Sequence, residues 1–539
     1  MIYLKYKKSI LFTILYAVLI TFTMLLMDSA YAMSNEYFIF EFTSKEFLNK
    51  LLLFALLLSI VPKKKVRVII YLLIAIFSFI QYAHFSYFGK NINAIEFYLI
   101  ATNLGETFEA LNAMLKILLF PILISVTGFF LLYLVDLQVA QRSFKYKYGG
   151  YILLAGLLLL STQVYYVTNI KEGKLKHSDS KLLYPTTNRH SARNFFVSAN
   201  YFLFGILPKK LSNKTADFPI LKKPLLIDSD VNRTIVLVIG ESLRYDTFSL
   251  HDNKLTPKLQ QLKEDENFFY KKIYAGGTMT KISVSTLINR LKYPGGLIQV
   301  SQEENCLFKL AKENKFNTSF LSAQSTSQLQ IIRDMMCPKY IDKLVDRDAF
   351  KTYMTPSGYD EDLQILLPKL DILKSNTFVV IQQRGSHVPY KNQYPKKYDT
   401  YTPYENTALY TDNSLFELIS HIKNNTEGEY FIFYVSDHGE LLGENGKKGH
   451  GHLEKEVYEV PLLMYTNSKN KNVKETFKYI KNHYDISNYI VTLLGYEATL
   501  YKDEDRKIYI LNADFDGFSG YGIIDIKNGI ESKMEIKRY

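Results

Sequence analysis

Three strand-like segments of this 539-residue chain end directly in side chains of the kinds that bind metal ions. Each segment is rich in Val, Ile, Phe and Tyr, as buried strands are. Ligands of parallel sheets bind just beyond the carboxyl ends of the strands, so we expect these side chains to converge despite their separation in sequence. They are Glu241, His387, Asp437 and His438.

The residue types of this group predict a zinc site. Carboxylate oxygens and imidazole nitrogens are the ligands that zinc accepts where cysteine is absent. A purely structural role is the alternative for any single Asp-His pair that follows a strand. His450, in a glycine-rich segment further along the chain, is another candidate, and a place in a solvated loop is its alternative.

A possible nucleophile lies in the segment that runs from Gly276 to Thr280. Two glycines followed by hydroxyl residues at a helix start place backbone N–H groups and the positive end of the helix dipole where a phosphate could bind. A threonine there can act as a nucleophile, because zinc coordination favours the alkoxide. The alternative is that Thr278 or Thr280 only caps the helix.

Three other catalytic classes lose their main support, because the chain has no GxxxxGK, GxSxG or HExxH motif. The formal charge of +12 does not indicate nucleic-acid binding, since many basic residues lie beside apolar runs, where lipid headgroups explain them better. With only two cysteines, neither a disulfide framework nor a thiolate metal cluster can form.

The first 170 residues contain apolar runs long enough to cross roughly 30 Å of hydrocarbon. Short basic loops between the runs are expected to stay in the cytoplasm, so an odd number of spans places the rest of the chain outside. Residues 30–32 read like a signal cleavage site, but the apolar run before them is long, and we expect it to be retained. The five predicted spans are residues 10–27, 47–61, 66–82, 115–135 and 151–167.

The remainder of the chain alternates strand-like and helical patterns, which predicts an α/β domain with a largely parallel sheet. The predicted organisation is a transmembrane domain at 1–170, a linker with an interfacial helix at 171–230, and a catalytic domain at 231–539. The segment of residues 322–328 is expected to line one side of the site, with Gln324 as a substrate contact.

Five segments occur together at a specific spacing: GESLRYDTFSL, GGTMTKISVS, GSHVPY, YENTALYTD and SDHGELLGENG. In this combination the chain resembles the membrane-bound phosphoethanolamine transferases of Gram-negative bacteria, a branch of the alkaline phosphatase and sulfatase superfamily. The resemblance implies a five-helix transmembrane domain followed by a periplasmic α/β domain with helices on both faces of its sheet, and one or two zinc ions.

The resemblance also assigns roles to individual residues. It implies that Glu241, Asp437 and His438 bind zinc together with the nucleophile Thr280. It implies that His387 and His450 contact the transferred phosphate or a second zinc. Residues 102–106 are similar to a segment implicated in donor binding, which marks Asn103 and Glu106 as contacts of the lipid donor.

The chain departs from the family in its cysteines. Members often have cysteine where Gly276 stands, and proline then cysteine where Ser285 and Thr286 stand, so the rigidity of the nucleophile's helix is in question. In the oxidising periplasm that the resemblance implies, we expect Cys306 and Cys337 to form a disulfide. Its loop of about 30 residues would contribute about 3 kcal/mol.

The resemblance implies transfer of phosphoethanolamine from phosphatidylethanolamine to lipopolysaccharide lipid A, a core sugar or another envelope glycan, by a monomer in the bacterial inner membrane. If lipid A is the acceptor, the added amine should weaken binding of polymyxin. A phosphoglycerol transferase or a phosphohydrolase on the same fold is the nearer alternative. A non-catalytic membrane sensor or assembly protein is the more distant one, and no nucleic-acid partner is expected.

Overall fold

A computed structural model of the chain describes residues 2–35, 45–88, 91–92, 97, 118–169, 190–207, 218–250, 254–374, 376–444, 448–499, 506–512, 515 and 520–537. The chain divides into two compact units, Met1–Lys214 and Thr215–Tyr539. The predicted boundaries at residues 170 and 230 stay predictions.

The described part of the first unit consists of helices. Short π-helical segments, Asp136–Ala140 and Phe202–Ile206, continue the fourth and the sixth of them. The helices are α1 (Ile2–Ser34), α2 (Lys45–Ser59), α3 (Lys64–Phe88), α4 (Leu119–Val135), α5 (Gly149–Asn169) and α6 (Ser191–Tyr201).

Three stretches of these helices are long and apolar enough to cross a membrane: Lys8–Ser34, Lys64–Ser86 and Leu119–Ala140. The second and fifth predicted spans correspond to shorter apolar stretches, Leu48–Ser59 and Gly149–Thr162. By length and composition, the described residues therefore supply three helices that can cross a membrane, and five spans are not confirmed.

Ionisable residues buried within this unit have partners. The guanidinium of Arg67 donates to both carboxylate oxygens of Asp136, at 2.6 and 3.1 Å. The carboxylate of Asp28 accepts hydrogen bonds from the hydroxyls of Tyr82 and Ser191, both at 2.6 Å. Charges in apolar surroundings persist when they are paired in this way, and the second cluster connects the start of α6 to α1 and α3.

The second unit is built on a seven-stranded sheet of order β2-β9-β6-β1-β5-β3-β4. Strands β4, β3, β5, β1 and β6 pair in parallel, whereas β9 runs antiparallel to both β6 and β2. The prediction of a largely parallel sheet is confirmed. The strands are β1 (Arg233–Gly240), β2 (Phe268–Tyr274), β3 (Asn317–Ser322), β4 (Lys343–Asp346), β5 (Thr377–Gln382), β6 (Glu429–Ser436) and β9 (Glu459–Thr466).

Helices cover both faces of this sheet, because successive side chains of a strand point to opposite sides. In β1, Ile235 and Leu237 pack with α7, α9 and α15, while Val236 and Val238 pack with α11 and α12. The helices of the second unit are α7 (Thr280–Ile288), α8 (Leu297–Gln302), α9 (Leu307–Glu313), α10 (Thr326–Arg333), α11 (Glu361–Leu370), α12 (Pro403–Asn425), α13 (Lys455–Tyr458), α14 (Val473–Tyr479) and α15 (His483–Leu493).

Two smaller sheets complete the described part of this unit. Strands β10 (Arg506–Leu511), β11 (Tyr521–Lys527), β12 (Ile530–Glu531) and β13 (Glu535–Lys537) form one of them, and β7 (Leu441–Leu442) pairs with β8 (Lys448–Gly449) in the other. The disulfide Cys306–Cys337 lies in the core beneath α7.

The register of the large sheet brings four strand ends together. Gly240 at the end of β1 lies beside Ser436 at the end of β6. On the other side of β1, Ile239 lies beside Gln382 of β5, which in turn lies beside Ser322 of β3. The loops that leave β6, β1, β5 and β3 therefore begin next to one another, at the carboxyl ends of these strands.

Candidate metal centre

Glu241 and Asp437 are the first residues after β1 and β6, and the register places them side by side. Both are almost fully buried. The Oδ1 atom of Asp437 accepts hydrogen bonds from the backbone N–H groups of Ser242, at 2.9 Å, and of His438, at 2.7 Å. The turn after β1 thus positions the carboxylate of Asp437, which follows β6.

The loop after β5 closes the site from the other side, and it requires glycine at residue 385. The backbone N–H of Ser386 donates to the carbonyl of Glu241 at 2.8 Å. A Cβ atom on Gly385, whose φ is +50°, would lie 2.7 Å from that same carbonyl oxygen. Only glycine tolerates both this conformation and this close approach of two backbones.

Thr280 is the first residue of α7, and its hydroxyl faces the two strand ends. Its Oγ1 atom lies 3.1 and 3.3 Å from the carboxylate oxygens of Glu241 and 3.2 Å from Nε2 of His438. The N-cap of α7 is Met279, so the Thr280 hydroxyl does not cap the helix. The hydroxyl of Thr278 instead donates to the side chain of Asn512, at 2.7 Å.

His438 presents an electron pair to this cluster. Its Nδ1 atom lies 2.8 Å from the carbonyl oxygen of Gly439, which assigns the ring proton to Nδ1 and leaves Nε2 unprotonated. Burial, reinforced by the charge of His450, lowers the pKa of His438 to about 3, so the ring is neutral at physiological pH. Nε2 points toward Oδ2 of Asp437, at 3.4 Å.

Burial of the two carboxylates outweighs the positive charge that His450 brings near Asp437. Burial, and then the charge of Asp437, raise the pKa of Glu241 well above its ordinary value. Burial raises the pKa of Asp437 to about 6. Desolvation and mutual repulsion both oppose ionisation of the pair, and a bound cation would favour the doubly ionised form.

The donor set fits a divalent metal ion. One ligand atom each from Glu241, Asp437 and His438 lies within 4.8 Å of the others. The Oδ2 atom of Asp437 is buried and accepts no hydrogen bond of ordinary geometry from the described residues. Two carboxylates, an unprotonated imidazole nitrogen and a threonine oxygen provide four ligands and two negative charges, the combination that zinc accepts.

Three other residues predicted from the sequence lie around this cluster. Gln324 is buried, and its side-chain amide donates to Oε2 of Glu241, at 3.4 Å. The ring of His450 lies 4.6 Å from that of His438, centroid to centroid. His387 is close enough for its charge to lower the pKa of His438, and its Nδ1 lies 2.6 Å from the carbonyl oxygen of Val388. Asn103 and Glu106 lie outside the described residues.

Glu440, which we did not single out in the sequence, orients His450. Its Oε2 atom lies 3.4 Å from Nδ1 of His450. Burial lowers the pKa of His450, but the Glu440 carboxylate more than offsets this and holds the pKa above its ordinary value. His450 is therefore the more readily protonated of the two neighbouring imidazoles.

Close packing and hydrogen bonds hold the helix of Thr280 in place. Gly276 packs directly against Thr286, since a Cβ atom at residue 276 would lie 2.1 Å from the Thr286 hydroxyl. One turn after Thr280, the hydroxyl of Ser283 donates to the carbonyl of Asp437 and lies 3.1 Å from Nδ1 of buried His483. His483 in turn donates from Nε2 to the carbonyl of Ser436, at 3.1 Å.

Because Ser283 joins the helix of Thr280 to the strand end of Asp437, replacing Ser283 with alanine is expected to affect both stability and activity. We expect a loss of about 1–3 kcal/mol of stability and a roughly tenfold fall in kcat, measured by thermal unfolding and by steady-state turnover. Ser285→Ala is the matched control, since Ser285 is equally buried in α7 but donates to the carbonyl of Lys281. Equal losses of kcat in both variants would contradict the positioning role.

Comparison with known proteins defines the class of this unit. Residues 233–496 match the family model described as Sulfatase, and this part of the chain is a sulfatase-type α/β domain. The site described above lies within these matched residues.

Two curated relatives are named for a narrower class. Over 258 residues the chain is 25% identical to phosphoethanolamine transferase EptA of Salmonella typhimurium, covering 43% of this chain and 45% of that protein. Over 325 residues it is 24% identical to phosphatidylethanolamine transferase Mcr-1 of Escherichia coli, covering 54% and 57%. The chain thus spans about half the length of the curated relatives it matches. Their names confirm the predicted resemblance to the phosphoethanolamine transferases. The relatives are named as transferases, which is the predicted enzyme class.

Among solved structures, the integral membrane lipooligosaccharide phosphoethanolamine transferase A (EptA) from Neisseria meningitidis covers 90% of this chain and 97% of its own, with 16% sequence identity and a TM-score of 0.44.

Proposed function

We propose that the chain transfers phosphoethanolamine from phosphatidylethanolamine to an envelope acceptor, with lipopolysaccharide lipid A or a core sugar as the favoured acceptor. The observation that carries this proposal is the position of the Thr280 hydroxyl, within 3.3 Å of both Glu241 oxygens and of His438 Nε2. A hydroxyl held among three metal-ligating groups at a helix start suits attack on phosphorus. The names of the curated relatives support the same transfer.

In the first step the Oγ1 atom of Thr280 forms a bond to phosphorus, and the bond from phosphorus to the glycerol oxygen breaks. The Thr280 hydroxyl gives up its proton, for which Oε1 of Glu241, at 3.1 Å, is the nearest acceptor among the described residues. Protonated His450 supplies a proton to the departing oxygen, so diacylglycerol leaves as a neutral alcohol. Phosphoethanolamine remains on Thr280.

In the second step an acceptor oxygen forms a bond to the same phosphorus, the bond to Thr280 breaks, and the Oγ1 atom of Thr280 takes back the proton that Glu241 accepted. His450, now neutral, takes the proton of an acceptor hydroxyl, which reverses its first role. His387, on the loop after β5, stabilises the phosphate charge. The two steps return Thr280 to its starting state.

The zinc ion would be held by Glu241, Asp437, His438 and Thr280. If the site takes two ions, the second would lie near His387 and His450. A bound ion supplies the positive charge that favours the threonine alkoxide and polarises the phosphoryl oxygen. These residues keep the hydroxyl oriented, while Gln324 restrains the Glu241 carboxylate.

The same proposal accounts for the first unit. Donor and first product are lipids, so we propose a monomer embedded in the bacterial inner membrane, with five spans and its sulfatase-type domain in the periplasm. Asn103 and Glu106 would contact the donor. With lipid A as acceptor, the added amine would reduce the anionic charge that attracts polymyxin.

The full-length protein in detergent, mixed with phosphatidylethanolamine but no acceptor, tests the reaction class. Intact-mass and peptide mass spectrometry are expected to show a phosphoethanolamine adduct on Thr280. A phosphoglycerol adduct, formed when phosphatidylglycerol is offered instead, would identify the alternative transferase. Release of free phosphoethanolamine with no acceptor requirement would identify a phosphohydrolase, and absence of any turnover would leave the non-catalytic alternative.

A further inference from the structure

A basic cleft of about 590 Å³ adjoins the end of β5 in the second unit. Its walls come from the loop after β5 and from two short 3₁₀ helices, Arg347–Thr352 and Tyr390–Asn392. The cations that line it are Arg347, Lys351, Arg384 and Lys391. The arginines are half-buried at its base, and the lysines are exposed.

The cations of this cleft outnumber the described carboxylates that act on them, which are Asp348 and Asp360. Asp348 is the one carboxylate among the lining residues, and hydrogen bonds from Thr326 and then the charges of Arg347 and Lys351 lower its pKa. No described carboxylate lies within ion-pair distance of the four cations. Burial lowers the pKa of Arg384, and the charge of Arg347 lowers it further. Two guanidinium groups held close together in this way favour an anion between them.

Two short connections join the cleft to the metal centre. The backbone N–H of Arg347 donates to the carbonyl of Gln324, at 3.3 Å, and the Gln324 side chain donates to Glu241. Arg384 precedes Gly385 and Ser386, whose backbone N–H bonds the carbonyl of Glu241. With consecutive Cα atoms 3.8 Å apart, the Arg384 Cα lies within about 8 Å of that of Ser386. The cleft therefore begins two residues from the loop that contacts Glu241, and a ligand larger than a phosphate is needed to reach from it to the metal centre.

We propose that this cleft binds a phosphate group of the acceptor, and that this phosphate is not the group that receives phosphoethanolamine. The acceptor is then a phosphorylated saccharide. This inference rests on the proposed function. The volume is that of a ligand pocket rather than of a bare anion site. Tyr359 and Asn392, which also line the cleft, offer the hydroxyl and amide groups that recognise sugar hydroxyls.

The test uses the full-length protein in phosphatidylethanolamine vesicles and the double variant Lys351→Glu with Lys391→Glu. Both lysines are exposed, so thermal unfolding is expected to match that of the unsubstituted protein. We expect the KM for lipid A bearing two phosphates to rise about tenfold or more, and the preference over lipid A bearing one phosphate to shrink. Adduct formation on Thr280 in the absence of acceptor should not change. Lys469→Glu with Lys527→Glu is the control of equal charge on exposed residues elsewhere in the unit.

Three outcomes count against the proposal. If the double variant and the control change the KM equally, the effect is one of net charge and the cleft is not an acceptor site. If the double variant loses adduct formation only in vesicles that also contain anionic phosphatidylglycerol, the cleft contacts the bilayer instead. If the unsubstituted protein forms no adduct, the proposed function fails first, whereas a normal adduct with an unchanged KM overturns the cleft assignment alone.

Discussion

Replacing Thr280 with alanine is expected to lower the rate of diacylglycerol release by at least about a thousandfold, because the nucleophile would be lost. In the described part of the site, no other hydroxyl contacts both Glu241 and His438: the Ser242 hydroxyl bonds Glu241 alone, at 2.9 Å. The same substitution should abolish the covalent adduct. Both are measured on detergent-purified protein with a lipid donor labelled in its glycerol moiety.

Thr280→Ser is the matched control. Serine keeps the attacking oxygen at the start of α7 and loses only the methyl group, so adduct and turnover are expected to persist. The alanine variant should still fold, because the cap of α7 is Met279 and its side chain makes no capping bond. An alanine variant that carries phosphoethanolamine at another position would show that Thr280 is not the nucleophile.

The central cluster could be predicted from the sequence because strand register determines it. Glu241 and Asp437 each follow a continuous apolar strand, and parallel pairing of β1 with β6 brings Gly240 beside Ser436. The residues that come next must then be neighbours. Thr280 could be predicted for a similar local reason, since glycines and a hydroxyl at a helix start constitute a pattern that does not depend on tertiary packing.

Ser283 and His483 could not be predicted in this way. His483 contacts Ser283 only because α15 packs against α7, and about 200 residues of sequence separate the two helices. Neither residue follows a strand. Ser283 lies within a helix whose polar residues form no pattern that indicates a role in the site. The basic cleft could not be predicted for the same reason: Arg347 follows β4, whereas Arg384 and Lys391 follow β5, and only the sheet brings the two segments together.

The membrane spans show a different limit. Apolar runs identify segments that avoid water, but they do not show how the charged residues among them are paired. Arg67 and Asp136 lie inside the longer stretches because each neutralises the other, a pairing that hydropathy alone does not reveal.

Replacing Asp437 with asparagine is expected to stabilise the metal-free protein at neutral pH while removing its metal affinity. The carboxyl has a pKa of about 6 in the folded state, against an ordinary value of 3.8, so the folded protein holds this proton more tightly than the unfolded chain. Stability therefore falls as the pH rises from about 4 to 6, and stays lower above that. Asparagine carries no charge, and its gain should reach about 3 kcal/mol at pH 7.5.

The geometry favours asparagine at this position. Its side-chain oxygen can keep the two backbone hydrogen bonds that Oδ1 accepts, and its amide would replace the unbonded Oδ2, 3.4 Å from the unprotonated Nε2 of His438. Thermal unfolding of chelator-treated protein at pH 7.5 and pH 4 measures the gain, and elemental analysis of protein dialysed against zinc measures the loss of metal.

Asp412→Asn is the contrasting control. Burial raises the pKa of Asp412 to about 7, but both of its carboxylate oxygens accept backbone N–H groups, from Lys258 at 2.8 Å and from Leu259 at 2.9 Å. The NH2 group of an asparagine at this position would face one of these two backbone N–H donors, so this variant should be destabilised at neutral pH. If Asp437→Asn instead lowers stability at pH 7.5 in the metal-free protein, the buried carboxylates are compensated by something other than a cation. The assignment of the strand-end cluster as a metal centre would then lose its electrostatic basis.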